Sequence, residues 1–465
     1  MEKRDFRFDL RINYDYLRLL FKFSGSIKLI LHPDLHGKKL NYERSSRMKK
    51  RRMLGSAILS LAMGLSMFSG GASAKTTDVK ENGVQDSYRV LIQGASTEKV
   101  KLQNTYDVHR NFGKEGFTTT VNAKQYEALK KNKNITVEKV EKVEIQSKAP
   151  IKATAVPSKQ VPWGIKAIYN DNNLTSPSGG DGIKVAVLDT GVEKTHVDLS
   201  QNVEQCKDFT QSSTYVNGTC TDRNGHGTHV AGTVLANGGS DKLGVFGVAP
   251  EAELWAYKVL GTNGSGYSDD IAAAIRHAAD EKTRTGAKVI ISMSLGSSGK
   301  DSLIASAVDY AYGKGVLVIA AAGNSGSGSN TIGYPGALVN AVAVAALENV
   351  QSNGTYRVAD FSSRGNPATA GDYIIQERDI EVSAPGASIE STWINGGYNT
   401  ISGTSMATPH ISGLAAKIWS ANKSLSNTQL RAELQKRAKA YDIKGGIGAS
   451  VGDDYASGFG FPRVK

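Results

Sequence analysis

The amino-acid sequence predicts an α/β fold in which a mostly parallel sheet lies between helices, preceded by a small α+β unit. Strand-like runs alternate with helical patterns after residue 180, and the length of 465 residues suggests two or three folded units. The strand-like runs are Ile183–Leu188, Leu254–Val259, Val289–Ser292, Val316–Ala320 and Ala341–Ala345, and the helical patterns are Thr228–Ala236, Asp269–Thr283, Leu303–Gly313 and Met406–Ala421. Residues that carry chemistry in such folds gather where strands end.

A secretory signal peptide is predicted at residues 48–74. Basic residues from Met48 to Arg52 precede an apolar run from Met53 to Phe68, and Ala72-Ser73-Ala74 is a small-residue cleavage site. A membrane anchor is the alternative, but the apolar run is short and interrupted by glycine and serine. We therefore expect a secreted, extracellular protein without stable membrane association. Residues 1–47 are expected to be an extension from a start codon assigned too early, with translation beginning at Met48.

The segment from Lys75 to about Lys148 predicts a small β-α-β-β-α-β unit. Its strand-like and helix-like stretches are Tyr88–Ile92, Lys99–Phe112, Phe117–Val121, Ala123–Lys131 and Ile135–Ile145. The extended stretch Ser147–Pro157 separates it from the larger unit. Pattern alone leaves open whether this unit is a propeptide or an unrelated accessory module.

The charge of the chain is concentrated ahead of the larger unit. The formal net charge is +12, but residues 1–160 carry 31 Lys plus Arg against 16 Asp plus Glu, whereas the residues from Val161 onward carry 25 against 28. A nucleic-acid-binding domain would concentrate basic residues in its folded module. The sequence also lacks a zinc-ligand or nucleic-acid motif, so we expect no nucleic-acid partner.

Three polar residues stand where regular elements start or end. Asp189 follows a strand-like run, and His226 and Ser405 each precede a helical pattern. Each has an ordinary interpretation, as a turn residue, a surface histidine or a helix N-cap. The motifs that contain them are Asp189–Gly191, Asn224–Thr233 and Gly403–His410.

These motifs, in the order Asp, His, Ser, resemble those of the subtilisin-like serine peptidases, or subtilases, and in particular the secreted bacterial subtilisins. The resemblance runs from about Val161 to the C-terminus and implies a three-layer fold. It implies that Ser405 attacks the scissile carbonyl, that His226 transfers the proton, and that Asp189 orients the imidazole. A secreted binding protein that keeps the fold without catalysis is the alternative. A lipase or esterase would carry Gly-x-Ser-x-Gly and a different residue order.

The resemblance extends to the groups around the reaction. Asn324, after the strand-like Val316–Ile319, would donate with the backbone N–H of Ser405 to the oxyanion. The substrate would pair with Ser294, Leu295 and Gly296 and fill a pocket lined by uncharged residues, so we expect broad cleavage after apolar or large neutral residues. The pocket residues are Ala321, Gly323 and Gly333. Ser297 replaces a glycine that many relatives carry at the pocket rim, and His229 and His410 are expected to be structural.

By the same resemblance, residues 75–157 are a propeptide and residues 158–465 the peptidase domain. Such a propeptide assists folding and acts as an intramolecular inhibitor until the enzyme cuts it away, here within Ser147–Pro157. The expected partners are protein and peptide substrates, and the expected state is a monomer. The insertion Asn366–Arg378 carries no catalytic pattern, and no function follows from its sequence.

Two further features concern stability. Cys206 and Cys220 are the only cysteines, and in an exported chain they predict a disulfide, with two free thiols as the alternative. Asp198 resembles the calcium-binding aspartate of the family, and the loop 237–245 would supply further oxygens from Asn237 and Asp241. A solvated acidic turn is the alternative to structural calcium.

Overall fold

The computed structural model describes residues 87–147, 153–211, 214–240 and 242–465. The predicted signal peptide, residues 1–47 and Asp241 lie outside the described residues. Among the helices that are described, none is long and apolar enough to cross a membrane.

Residues 87–139 form the β-α-β-β-α-β unit that the sequence predicts, and a further strand, β5 (Lys142–Ile145), follows it. The elements of the unit are β1 (Ser87–Gly94), α1 (Ser96–Gln103), β2 (Val108–Asn111), β3 (Phe117–Asn122), α2 (Ala123–Lys130) and β4 (Ile135–Lys139). The predicted stretch Lys99–Phe112 contains both the end of α1 and the whole of β2. The strand order is β2-β3-β1-β4, all antiparallel, over a small core that includes Val90, Ile92 and Phe117. Strand β5 leaves this sheet and pairs with the larger unit.

The larger unit begins with eight helices and strands. They are α3 (Trp163–Tyr169), β6 (Ile183–Asp189), β7 (Val203–Asp208), β8 (Val216–Asn217), α4 (His226–Leu235), β9 (Glu253–Lys258), β10 (Ser265–Tyr267) and α5 (Ser268–Thr285). The remaining elements are β11 (Lys288–Met293), β12 (Leu295–Gly296), α6 (Ser302–Gly313), β13 (Leu317–Ala321), β14 (Val342–Ser352), β15 (Thr355–Val358), β16 (Val382–Pro385), β17 (Ile389–Trp393), β18 (Gly397–Ile401), α7 (Thr404–Ala421) and α8 (Asn427–Lys439).

The central sheet is mostly parallel, which confirms the predicted fold class. Its order is β15-β14-β13-β11-β6-β9-β7-β8, with β16 beside β14, and only the β7–β8 and β14–β15 pairs are antiparallel. Helices cover both faces: Val185 and Val187 of β6 join the core beneath α4 and α7, whereas Ala186 and Leu188 join the core beneath α5 and α6. Strands buried on both faces read as continuous apolar runs, and for that reason the sequence revealed them.

Two features differ from the sequence interpretation. Cys206, in a segment for which the sequence predicts no strand, lies on β7, whose first residues are partly exposed and so give no continuous apolar run. It forms a disulfide with Cys220, with the Cα atoms 5.1 Å apart. Helix α8 was not expected; a capping box between Ser426 and Gln429 starts it.

Candidate active site

Asp189 and His226 meet where β6 ends and α4 begins. The Nδ1–H of His226 donates to Asp189 Oδ1 at 2.8 Å, and both residues are at most 1% exposed. The backbone N–H groups of Val259 and Leu260 donate to the Asp189 carbonyl at 2.9 and 3.1 Å, which fixes the end of the strand. Within the described chain His226 Nε2 has no hydrogen-bond partner, so this nitrogen is the one available for proton exchange.

A second carboxylate, which sequence reasoning missed, connects the segments that carry Asp189 and His226. Asp222 Oδ1 accepts from Thr190 Oγ1 at 2.9 Å and from the N–H groups of Asn224 and Gly225 at 2.9 and 3.0 Å. Its Oδ2 accepts from the N–H and Oγ1 of Thr228 at 3.0 and 2.7 Å. Asp222 therefore positions both the strand end that carries Asp189 and the helix start that carries His226. Asp222 lies three residues before the N-cap Gly225, so the usual capping signal of a helix start does not identify it.

Ser405 is the second residue of α7, where a backbone N–H has no partner within the helix. Its N–H donates to the carbonyl of Gln146 at 3.1 Å. Its hydroxyl donates to the carbonyl of Ser294 at 2.9 Å, and the described residues show no bond from it to His226. The hydroxyl therefore has to turn away from the Ser294 carbonyl before it can donate to His226.

Asn324 follows β13 and is fixed by the start of α7. Its Oδ1 accepts from the N–H and Oγ1 of Thr404 at 3.0 and 3.2 Å. Thr404 Oγ1 in turn accepts from the N–H of Gly323 at 3.1 Å. Because the amide oxygen is engaged, Nδ2 is the end of the side chain that can donate to a substrate.

The chain occupies its own cleft. Strand β5 lies between β10 and β12 and is antiparallel to both. The N–H of Gln146 donates to the Ser294 carbonyl at 3.3 Å, while the Gln146 carbonyl accepts from Ser405. A Cβ at Gly403 would lie 2.3 Å from Gln146 O and 2.8 Å from the Cα of Ser147. The bond between Gln146 and Ser147 therefore lies against Ser405.

The predicted substrate residues come together beside Gln146. The Ser294 carbonyl accepts from the Gln146 N–H, and Leu295 and Gly296 pair with β5. The side-chain Nε2 of Gln146 donates to the Gly296 carbonyl at 3.2 Å. A cavity of about 500 Å³ opens here, and the peptidase residues that line it are uncharged. They are Gly296, Ser297, Ser298, Gly299, Ala321, Gly323, Ser325, Thr331 and Gly333.

Residues 180–460 match the Subtilase family of peptidases, peptidase S8. The chain belongs to this family. It is 58% identical over 429 residues, 91% of this chain and 100% of the relative, to a subtilisin of Bacillus sp. strain TA39. It is 41% identical over 281 residues, 60% of this chain and 92% of the relative, to Subtilisin Savinase of Lederbergia lenta. The solved structure of Sphericase is 74% identical, with a TM-score of 0.66, and covers 66% of this chain and 100% of its own.

The family assignment confirms the resemblance and the enzyme class. Subtilases of this type are serine endopeptidases, and this chain is one of them. The subtilisin family generally binds structural calcium.

The residues predicted to hold calcium are partly described. Asp198 is fully buried, and its Oδ2 accepts from the Val245 N–H at 2.8 Å. A Cβ at Gly244 would lie 1.7 Å from Asp198 Oδ1, so the loop admits the carboxylate only because that residue is glycine. The N–H of Asn237 donates to the Asp198 carbonyl at 3.0 Å. Carboxylate, amide and backbone oxygens are the donors that calcium prefers, and these residues fit it.

A second acidic group lies between the small unit and α5. Asp269 and Asp270 lie close enough to His109 to share a metal ion. The guanidinium of Arg89 bonds both carboxylates, at 3.1 and 3.0 Å, and Arg110 Nη2 bonds Asp270 at 3.0 Å. Two cations therefore already occupy the oxygens, and this group is an ionic contact between the units.

His229 and His410 lie in the interior, as structural residues would. The carbonyl of Ile389 is 2.9 Å from His229 Nε2, and the carbonyl of Met406 is 2.7 Å from His410 Nδ1. Burial lowers the pKa of His229 to about 3 and that of His410 to about 4. Both rings are neutral at physiological pH.

Proposed function

We propose that this subtilase is a secreted endopeptidase made as a pre-pro-enzyme, and that it makes its first cut in its own chain between Gln146 and Ser147. This proposal rests on strand β5, which lies in the cleft, and on the Gln146 carbonyl, which accepts a hydrogen bond from the Ser405 N–H. Main-chain pairing of this kind places an extended peptide without demanding a particular sequence. Secretion rests on the signal-peptide pattern at residues 48–74.

The proposed reaction uses the groups around Gln146. After its hydroxyl turns from Ser294, Ser405 Oγ bonds the carbonyl carbon of the substrate and its proton passes to His226 Nε2. Asp189 stabilises the imidazolium, and the Ser405 N–H with Asn324 Nδ2 stabilises the oxyanion. The C–N bond then breaks as His226 donates the proton to the leaving amine. A water, deprotonated by His226, cleaves the acyl-enzyme.

The proposed specificity follows from the cavity. Its peptidase lining is uncharged, and Gln146, a large neutral residue, lies at its edge with Glu141, Lys142 and Glu144 of the small unit. We therefore propose broad cleavage of proteins and peptides after apolar or large neutral residues.

We propose that residues 75–146 then act as an intramolecular inhibitor. Asp270 accepts charge-assisted bonds from Arg89 and Arg110, and His109 Nε2 is 3.0 Å from it. Burial and the neighbouring Asp270 raise the pKa of Asp269, which accepts from Thr118 Oγ1 at 2.7 Å. The positive charges of the small unit neutralise these buried carboxylates. We therefore expect this ionic contact to keep the propeptide bound to the peptidase after cleavage.

The segment after the cut has its own contacts. Thr154 exchanges backbone bonds of 2.8 Å with Tyr398, and Glu390 accepts from the Ser158 N–H at 2.6 Å. The first product would thus begin at Ser147, the first residue of the stretch in which the sequence predicts the cut, and Thr154 and Ser158 would keep these contacts until later trimming. The mature peptidase domain would then begin near residue 158.

Processing is tested by expressing the chain with Ser405→Ala and, as a matched control, Ser424→Ala, an exposed serine of the turn after α7. We expect wild type and the control to give a fragment ending at Gln146 and a chain beginning at Ser147, found by terminal peptide mass spectrometry. The Ser405→Ala chain should stay joined at this bond. If the pure Ser405→Ala protein were cut there as well, self-processing would be wrong.

Calcium is proposed to bind Asp198 and Asn237, with Asp241 as a further ligand, and to pin the loop 237–245. The ion would supply no chemistry to the reaction, only stability against local opening and autolysis. We expect EDTA to lower the melting temperature of the Ser405→Ala protein but not that of the same protein carrying Asp198→Asn. Equal melting with and without EDTA would favour a solvated acidic turn.

A further inference from the structure

The specificity pocket has two rims that face each other. The first rim comprises residues 297–300 and the second rim residues 331–336. Ser297 and Tyr334 join them by exchanging backbone hydrogen bonds of 2.9 Å each. The distance between these rims decides how wide a side chain the cavity admits.

The insertion, residues 366–378, contacts both rims from behind. Glu377 Oε1 accepts from the Tyr334 hydroxyl at 2.6 Å, and Glu377 Oε2 accepts from Lys300 Nζ at 2.8 Å. One carboxylate therefore joins the end of the first rim to the middle of the second. Neither bond involves a residue that lines the cavity.

The ionisation of this contact suits its role. Burial and the bond to Glu377 raise the pKa of Tyr334 to about 12, so the phenol is a neutral donor. The bonds from Lys300 and Tyr334 lower the pKa of Glu377, so the carboxylate is an ionised acceptor. Charge-assisted bonds of this kind are stronger than neutral ones.

Arg378 holds the second rim at both ends. Its Nη2 donates to the Asn330 carbonyl at 2.9 Å, just before the rim. Its backbone N–H donates to the Ala337 carbonyl at 2.8 Å, just after the rim. The rim is thus supported from the insertion at three points.

The insertion is itself fixed to the body of the enzyme. Asp453 Oδ2 accepts from the N–H groups of Gly371 and Tyr373 at 3.0 and 2.9 Å. Asp379 Oδ2 accepts from the Gln376 N–H at 2.7 Å, which closes the loop directly beside Glu377. A loop held in this way can support a pocket wall.

We propose that the insertion is a specificity element, in which Glu377 is a positioning residue that sets the spacing of the two rims and so favours large neutral side chains over small ones. The inference rests on the proposed function of the cleft. It gives a role to a segment whose sequence indicated none.

The test compares Glu377→Gln and Glu377→Ala with Asp372→Asn, a control within the insertion that touches neither rim. For peptides with Gln, Leu or Ala before the cleaved bond, kcat and KM are measured. We expect KM for Gln and Leu to rise, so that the large-to-small ratio of kcat/KM falls about 3- to 10-fold, while kcat for Ala is kept. Lys300→Met should also lower the ratio. The double variant Lys300→Met/Glu377→Ala should have nearly the same ratio as Glu377→Ala alone.

The rate at which a fluorophosphonate labels Ser405 separates failure of this inference from failure of the proposed function. If labelling is normal in every variant and the selectivity ratio is unchanged, the rim proposal is overturned. A loss shared equally by all three peptides would also overturn it, because Glu377 would then support the enzyme as a whole. If wild type itself is not labelled at Ser405, it is the proposed function that fails.

Discussion

The catalytic centre and the specificity pocket belong to one cleft but are supported differently. Asp222, which positions Asp189 and His226, is 6% exposed and accepts its bonds largely from backbone N–H groups and buried hydroxyls. The side chains of Lys300 and Glu377, which join the pocket rims, are 48% and 42% exposed. Buried networks are costly to disturb, whereas exposed pairs contribute little. On the proposed roles, the reaction would depend on a buried network, and specificity would depend on a surface contact that can change at small cost to the fold.

The largest effect is expected at the oxyanion site. Asn324→Leu removes the Nδ2 donor and should lower kcat by about 100- to 1000-fold with KM nearly unchanged, a range seen in another subtilisin. Steady-state kinetics on one peptide measure it, with the half-buried Asn340→Leu as the control. A decrease in kcat of less than about 10-fold would mean that the backbone N–H of Ser405 is enough to stabilise the oxyanion.

Asp222→Asn is expected to lower kcat by about 100-fold, because an amide nitrogen would face N–H donors and shift His226 against Asp189. The melting temperature and the labelling rate of Ser405 are measured beside kcat. Exposed Asp181→Asn is the control. A folded Asp222→Asn enzyme with full kcat would show that the interior network does not position the histidine.

Asp270→Asn is expected to weaken the hold of the propeptide by about 30-fold or more, because Arg110 would stay buried without its full partner. The measurement is the delay between cleavage after Gln146 and the appearance of activity, which should shorten. Exposed Asp309→Asn on α6 serves as the control. An unchanged delay would remove this contact from the account of inhibition.

Acid should affect the interior more than the pocket rims. Unfolded histidine has a pKa of about 6.5, so the lowered pKa values of His229 and His410 stabilise the fold fully above that pH, and this contribution is lost as pH falls towards 4. We expect the melting temperature of the Ser405→Ala protein to drop by several degrees between about pH 7 and pH 4.5. The additional substitution His410→Gln should make this drop in melting temperature smaller. If the drop stays the same, groups other than His410 cause it.

The smallest effect concerns the rims. Because the pKa of Glu377 is lowered, its bonds to Lys300 and Tyr334 should persist well into mild acid. The large-to-small selectivity ratio is therefore expected to stay constant between about pH 5.5 and pH 8, measured with the same peptides. A ratio that changes within this range would show that another titrating group sets the spacing.

The strands and site residues that could be predicted from the sequence each lie in a short, recognisable stretch of the chain. Apolar runs revealed the strands, and Asp189, His226 and Ser405 stand in short motifs at element ends. Glu377 and Tyr334 are 43 residues apart, and Arg89 and Asp269 are 180 apart, so no local pattern could pair them. Gln146 and Ser405 are also far apart in sequence, and only the folded chain brings the Gln146 carbonyl to the Ser405 N–H.

The most direct test of the proposed function is to treat the secreted protein and its Ser405→Ala variant with a fluorophosphonate probe and locate the label by peptide mass spectrometry. We expect labelling at Ser405 in the wild type once the propeptide has left, and none in the variant. A folded, propeptide-free wild type that takes no label would contradict it and favour a binding protein that has kept the fold without the reaction.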